Sequence, residues 1–203
     1  MLSSVVLLDA GCVRVEDVRC PGHGRGWSAG EPVTRFGVVF PRSGVFRRDV
    51  DGFETVADSV SGYLQRPGSE QRIAHPRGGD RCTSITLSTG TLQSLTDDTL
   101  LPTDRTDVGL PIDATADLRH RELIARARHG AHSDELTERA ITVVGDVLTG
   151  LAPGAVDAGF PGAGRRRRLV DEVRQALHEE PDLRLTELAR LVGLSPFHLS
   201  RMF

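Results

Sequence analysis

The chain has 203 residues, 38% of them apolar and 26% charged, which is enough apolar material for one large core or two small ones. Its formal net charge is −3, and every basic residue is arginine, so it does not read as a protein coated in nucleic acid along its length. No apolar run approaches the roughly 20 residues of a membrane span, and the opening "MLSSVVLLDAG" lacks the positive start and small-residue cleavage site of a signal peptide, so it reads as a first strand or ordered arm.

Residues 1 to about 110 read as β-rich. The runs "VRVEDVRC", "TRFGVVF", "SGVFRRDV" and "CTSITLS" carry β-branched and aromatic residues. Turn signals at Pro21-Gly22, Gly30, Pro41, Asp51-Gly52, Pro67-Gly68 and Gly78-Gly79 separate them. Short, evenly spaced strands predict a sandwich or barrel. In "CTSITLS", alternation puts Thr83, Ile85 and Leu87 on one face and Cys82, Ser84 and Thr86 on the other. The apolar face is expected to be the inner one, which turns Cys82 away from the barrel interior.

Three cysteines, Cys12, Cys20 and Cys82, are a sparse and odd set that fits a reducing cytoplasm. Cys20 with His23, and His75 with Cys82, offer sulfur and imidazole donors suited to zinc or another soft metal, or else redox-responsive thiols. The bland alternative is a buried cysteine beside a surface histidine. Trp27 and Tyr63, each the only residue of its kind, either line a ligand pocket or fill the core.

The period then changes. Residues 115 to 129 place Leu118, Leu123, Ile124 and Ala127 at helical spacing, and Gly130 ends that helix. Ser133 is read as the N-cap of a second helix running to about Leu148, with Leu136, Ala140, Ile141, Val144, Val147 and Leu148 on one stripe. This antiparallel hairpin either packs on its own barrel or joins two chains as a dimer interface. Residues 150 to 164, "GLAPGAVDAGFPGAG", have linker composition and mark a domain boundary.

After the linker the charge changes sign: eight arginines face six acids from Arg165 onward, against seventeen and twenty-two before it. The run Arg165 to Arg168 invites phosphate contacts, although four cations at a helix start are mildly unfavourable with the macrodipole. A first helix from about Arg166 to Glu179 presents Leu169, Val170, Val173, Ala176 and Leu177, and Pro181 stops it. Thr186 is read as the cap of a second helix with Leu188, Ala189 and Val192 inward. The small Ala189 permits a close helix crossing, and Gly193 supplies the turn. Ser195 caps a third helix with Pro196 in its first turn, and Leu199 and Met202 anchor it. That leaves Phe197, His198, Ser200 and Arg201 outward near the end that meets base edges.

These residues carry a resemblance. "LTELARLVGLSPFHLSRMF" resembles the first helix-turn-helix of the AraC/XylS family of transcription regulators over about 38 residues. The β-rich front and the helical hairpin resemble, more loosely, that family's cupin-like sensor half. "GYLQRPGSEQRIAHP" also resembles the second cupin motif, with His75 at the place of its histidine. Metal-dependent cupins add a His-x-His and a glutamate; the region expected to hold them offers only His23 and Glu31.

The resemblance implies an α+β chain with no enzymatic activity: a cupin-like sensor and dimerisation domain at 1–150, a linker at 151–164 and a DNA-binding segment at 165–203. Residues Ser195, Pro196, Phe197, His198, Ser200 and Arg201 would face DNA. Read from their own residue types, beside the resemblance, Cys20, His23, His75 and Cys82 are the candidates to hold a small-molecule effector or, less readily, a metal. It further implies a cytoplasmic homodimer away from the membrane, and a second helix-turn-helix beyond the sequence read here. A metal-dependent cupin enzyme with a helical appendix is the alternative, and an interaction module that has lost DNA binding is a third.

Overall fold

The structure, a computed structural model, describes residues 2–22, 24, 26–96, 109–149 and 163–201, with the backbone alone over 163–168. The chain divides into two compact units, Met1–Val156 and Asp157–Phe203. The 151–164 linker falls mostly outside the described residues, as do His23 and Met202, and the side chains of Arg165 to Arg168 are likewise not described.

The first unit opens with antiparallel strands β1 (Ser3–Asp9) and β2 (Val13–Cys20), then β3 (Glu31–Pro32), β4 (Gly37–Ser43), β5 (Phe46–Val50), β6 (Phe53–Ala57), β7 (Ser61–Gln65), β8 (Glu70–Ala74) and β9 (Asp80–Leu87). A short helix α1 (Thr89–Leu95), strand β10 (Gly109–Pro111) and the hairpin α2 (Ala114–Arg128) and α3 (Ser133–Thr149) follow. The strands form two sheets, ordered β1-β2-β9-β4-β7-β10 and β3-β8-β5-β6. Asp51-Gly52 turns β5 into β6 as expected, with both residues at positive φ. Pro41 does not make a turn; it lies inside β4, where the register to β9 shifts before Ser43. A bulge is one of the few places a sheet accepts a residue without an N–H.

Strand alternation divides the apolar side chains between two cores. Val13 and Val15 of β2, Val38 and Phe40 of β4, and Ile85 and Leu87 of β9 join Leu123, Ile124, Leu136, Ala140, Val143 and Val144 of the helices in one cluster. Val39, Phe46, Ala57, Tyr63 and Cys82 form another between the sheets. The face of β9 that carries Ile85 and Leu87 is therefore covered by the hairpin, and Cys82 turns into the barrel interior. That corrects the orientation expected from the sequence: both faces of β9 are buried, so the more apolar one need not be the inner one.

The hairpin packs on its own sheet. Leu136, Ala140, Val144, Val147 and Leu148 are all less than 8% exposed within this chain, and only Ile141 of that stripe is half-buried. The stripe read as a dimer interface is thus covered by intrachain contacts. On α2 the inner face is Ala116, His120, Leu123 and Ile124, which leaves Leu118 68% exposed. Asp17 of β2 pairs with Arg42 of β4 and Arg128 of α2, fastening helix to sheet. Among the described residues no helix is long and apolar enough to cross a membrane.

The second unit contains α4 (Ala163–Glu179), α5 (Leu185–Leu191) and α6 (Pro196–Ser200). Val173, Ala176, Leu188, Ala189, Val192 and Leu199 make its core. Helix α5 begins earlier than Thr186: its N-cap is Arg184, whose N–H donates to Glu187 Oε2 at 2.7 Å.

Candidate functional site

Two groups of side chains are candidates for a functional site, one in each unit. In the second unit, Gly193 takes φ +65°, a conformation glycine adopts without strain, and the Leu194 N–H donates to the Ala189 carbonyl at 2.8 Å. Ser195 Oγ accepts from the His198 N–H at 3.2 Å, and Pro196 occupies the first turn of α6. The pattern of burial on α6 follows from its helical period: Leu199 is 1% exposed, while Pro196, Phe197, His198, Ser200 and Arg201 face solvent. The Arg201 guanidinium lies 5.6 Å over the Phe197 ring. Phe197 is 66% exposed on this short capped helix, beside the Arg201 guanidinium and the His198 imidazole.

In the first unit the candidate ligating side chains gather at one end of the barrel interior. Cys20 closes β2 and is the cross-strand partner of Asp80, which opens β9; Cys82 follows two residues on, on the same face. His75 comes directly after β8, and the turn from Pro76 to Gly79 returns the chain to Asp80. A Cβ on Gly79 would sit 2.1 Å from the Cys20 carbonyl oxygen, so only glycine lets the two segments approach this closely. His75 Nε2 lies 2.6 Å from Asp80 Oδ2, the Cys82 thiol donates to Asp80 Oδ1 at 3.0 Å, and Cys20 Sγ is 4.0 Å from His75 Nδ1. Since the Asp80 carboxylate accepts, Nε2 donates to it, and Nδ1 lies on the side of Cys20. All four residues are buried.

Burial, and then the adjacent Asp80 carboxylate, push the Cys82 thiol well above its ordinary range. Cys82 is thus a proton donor that orients Asp80, not a reactive thiolate. The structure places Cys20, His75 and Cys82 in one group around Asp80. One signal in the sequence could have found Asp80: its place two residues before Cys82, on the same strand face. Glu31 is exposed on β3, and His23 lies outside the described residues.

Deeper in the same interior, Arg48 is 2% exposed. Its Nε donates to Gln71 Oε1 at 3.2 Å and its guanidinium sits 4.3 Å over the Tyr63 ring, with no carboxylate among the described residues in an ion pair with it. Burial lowers its pKa, and burial raises that of Tyr63. Tyr63 touches Phe46, which in turn contacts His75, so the arginine and the Cys–His–Asp group line one continuous interior. Trp27 is half-buried between the guanidiniums of Arg47 and Arg72, at 5.1 and 5.7 Å. A separate cleft of about 610 Å³ opens elsewhere, among Asp9, Arg14, Arg35, Arg66, Ser88 and Leu92, and holds none of these groups.

A buried cation facing no carboxylate is destabilising unless something else requires it. Arg48→Met, which keeps the volume and removes the charge, is expected to leave the melting temperature of the N-terminal unit unchanged or raise it by the equivalent of roughly 1–4 kcal/mol. Differential scanning calorimetry tests this; a clear fall in melting temperature would mean that the guanidinium is structural.

The first unit is a double-sheet, cupin-like barrel carrying a helical hairpin, and the second is a helix-turn-helix. Among solved structures the whole chain is similar to an AraC-like transcriptional activator, CuxR, with a TM-score of 0.52 and 15% identity over 100% of this chain and 73% of that one. It is also similar, at a TM-score of 0.37 and 14% identity, to a cupin superfamily protein from Desulfitobacterium hafniense over 43% of this chain and 77% of that one. The cupin domain of Cnp3 from Schizosaccharomyces pombe gives 0.39 and 10%, over 46% and 69%. At these identities the likeness is one of fold. No protein-family model matches the sequence, and no curated protein does.

Proposed function

We propose that the chain is a ligand-responsive, DNA-binding transcription regulator of the AraC type that acts in the cytoplasm and is not an enzyme. The observation that carries this reading is α6: a serine-capped helix entered through a glycine turn, with Leu199 inward and Phe197, His198, Ser200 and Arg201 outward. The whole-chain likeness to an AraC-like activator supports it. We place the effector in the barrel interior lined by Arg48, Tyr63, Gln71 and His75, because polar side chains able to bind a ligand are gathered there in a buried setting. Effector binding would act by favouring one arrangement of the DNA-binding units over another. A homodimer would have to use a surface other than the covered stripe of α3.

The test is selection of bound sequences from a random duplex pool, followed by anisotropy titration with the full chain. Arg201→Ala is expected to lower affinity for the selected sequence by roughly 5- to 150-fold, the 1–3 kcal/mol of a base-reading arginine. No enriched sequence, or an Arg201→Ala chain that binds its selected sequence as well as the parent, would overturn the reading.

A further inference from the structure

We propose that Cys20, His75 and Asp80 form a binding site for a Zn²⁺-class transition-metal ion inside the barrel. One thiol sulfur, one imidazole nitrogen and one carboxylate oxygen, all buried, lie within 4.8 Å of one another. Tetrahedral zinc, with Zn–S near 2.3 Å and Zn–N near 2.0–2.1 Å, separates its sulfur and nitrogen ligands by about 3.5 Å. The 4.0 Å between Cys20 Sγ and His75 Nδ1 needs only a small closure to match. The donor set selects the metal: sulfur with imidazole suits Zn²⁺, Co²⁺ or Cu⁺, whereas Mg²⁺ and Ca²⁺ require oxygen.

The surroundings fit a site with an open position. Three protein ligands leave the fourth place of a tetrahedron free, and the interior beside His75 continues through Phe46 and Tyr63 to the Arg48 guanidinium. The Cys82 thiol, donating to the other oxygen of Asp80, fixes that carboxylate as an outer-shell partner does. Metal entry releases the Cys20 thiol proton, because the thiolate is the ligand. His75 keeps its Nε2 proton and gives the ion the Nδ1 lone pair on the side of Cys20, while one Asp80 oxygen leaves the Nε2–H to join it. This deepens the regulator reading by naming the class of signal the barrel receives. Metal binding is measured without DNA, so either reading can fail while the other stands.

The experiment is titration of the purified full chain with Co²⁺, read by absorption. The expected result is one Co²⁺ per chain, with intense tetrahedral ligand-field bands, a thiolate-to-cobalt charge-transfer band, and displacement of both by Zn²⁺. Cys20→Ala should abolish the charge-transfer band. Cys82→Ala should keep it while weakening affinity by roughly 10-fold or more, as removal of an outer-shell partner does. A folded chain that takes up no Co²⁺, Co²⁺ bound without the charge-transfer band, or a band that survives Cys20→Ala overturns the proposal. Where the Cys20→Ala chain fails to fold, the wild-type protein still decides. Zn²⁺ should then protect Cys20 from iodoacetamide while half-buried Cys12 continues to react, and equal labelling of Cys20 with and without Zn²⁺ overturns it.

Discussion

Val144→Glu is expected to unfold the N-terminal unit rather than to separate two folded chains. Val144 is 0% exposed and lies in the cluster that joins α3 to β2, β4 and β9. A carboxylate there loses its hydration with no cation placed to receive it, so the loss is on the order of 4–5 kcal/mol. That approaches the whole stability of an ordinary domain, roughly 5–15 kcal/mol. Ile141, one turn earlier and half-buried, should accept glutamate at a loss below about 1 kcal/mol. Circular-dichroism melting with light scattering separates the outcomes. If Val144→Glu gives a folded monomer from a wild-type dimer, the stripe is an interface after all and its packing on the sheet is not what holds it.

The contrast between these neighbouring positions shows what could be read from the sequence. The α3 stripe was legible because apolar residues recur at three and four, but periodicity says only that a face is covered, not by what. The helix-turn-helix was legible in detail because its determinants are local: Gly193 sets a backbone angle, and Ser195 and Pro196 set a helix start. Where the determinants are distant, reading failed. Cys82 was turned outward because alternation cannot tell a face under helices from a face inside a barrel. Asp80 was missed because its significance comes from Cys20 on a strand far away in sequence. Helix α1 was missed because seven residues carry too little periodicity. On α2, the exposure of Leu118 and the burial of His120 are decided by the phase of the helix against the sheet, which a composition of few apolar residues leaves open.

His120 makes acid sensitivity a property of that same layer. Its ring is 0% exposed and stacks 4.8 Å from Phe40, with Nδ1 at 3.3 Å from the Ala116 carbonyl. The carbonyl accepts, so Nδ1 carries the proton, and Nε2 is buried with no hydrogen-bond partner among the described residues. Burial is the chief cause that lowers its pKa to about 4 from 6.5; Arg121 and Arg42 add to it, and Asp117 and the Ala116 carbonyl oppose it. Above pH 6.5 the imidazole is neutral in folded and unfolded chains alike, and the fold has its full stability. Between about 6.5 and 4 the unfolded chain takes up a proton that the folded one refuses, so stability falls as the pH falls. The loss levels off below about 4, where both states are charged. A shift of that size corresponds to on the order of 3 kcal/mol. His120→Leu, which fills the same place without a titrating group, should remove this component and flatten the profile between pH 4 and 6.5. Urea unfolding of the two chains at a series of pH values measures it directly. Parallel profiles for wild type and His120→Leu would show that the acid response of the unit arises elsewhere.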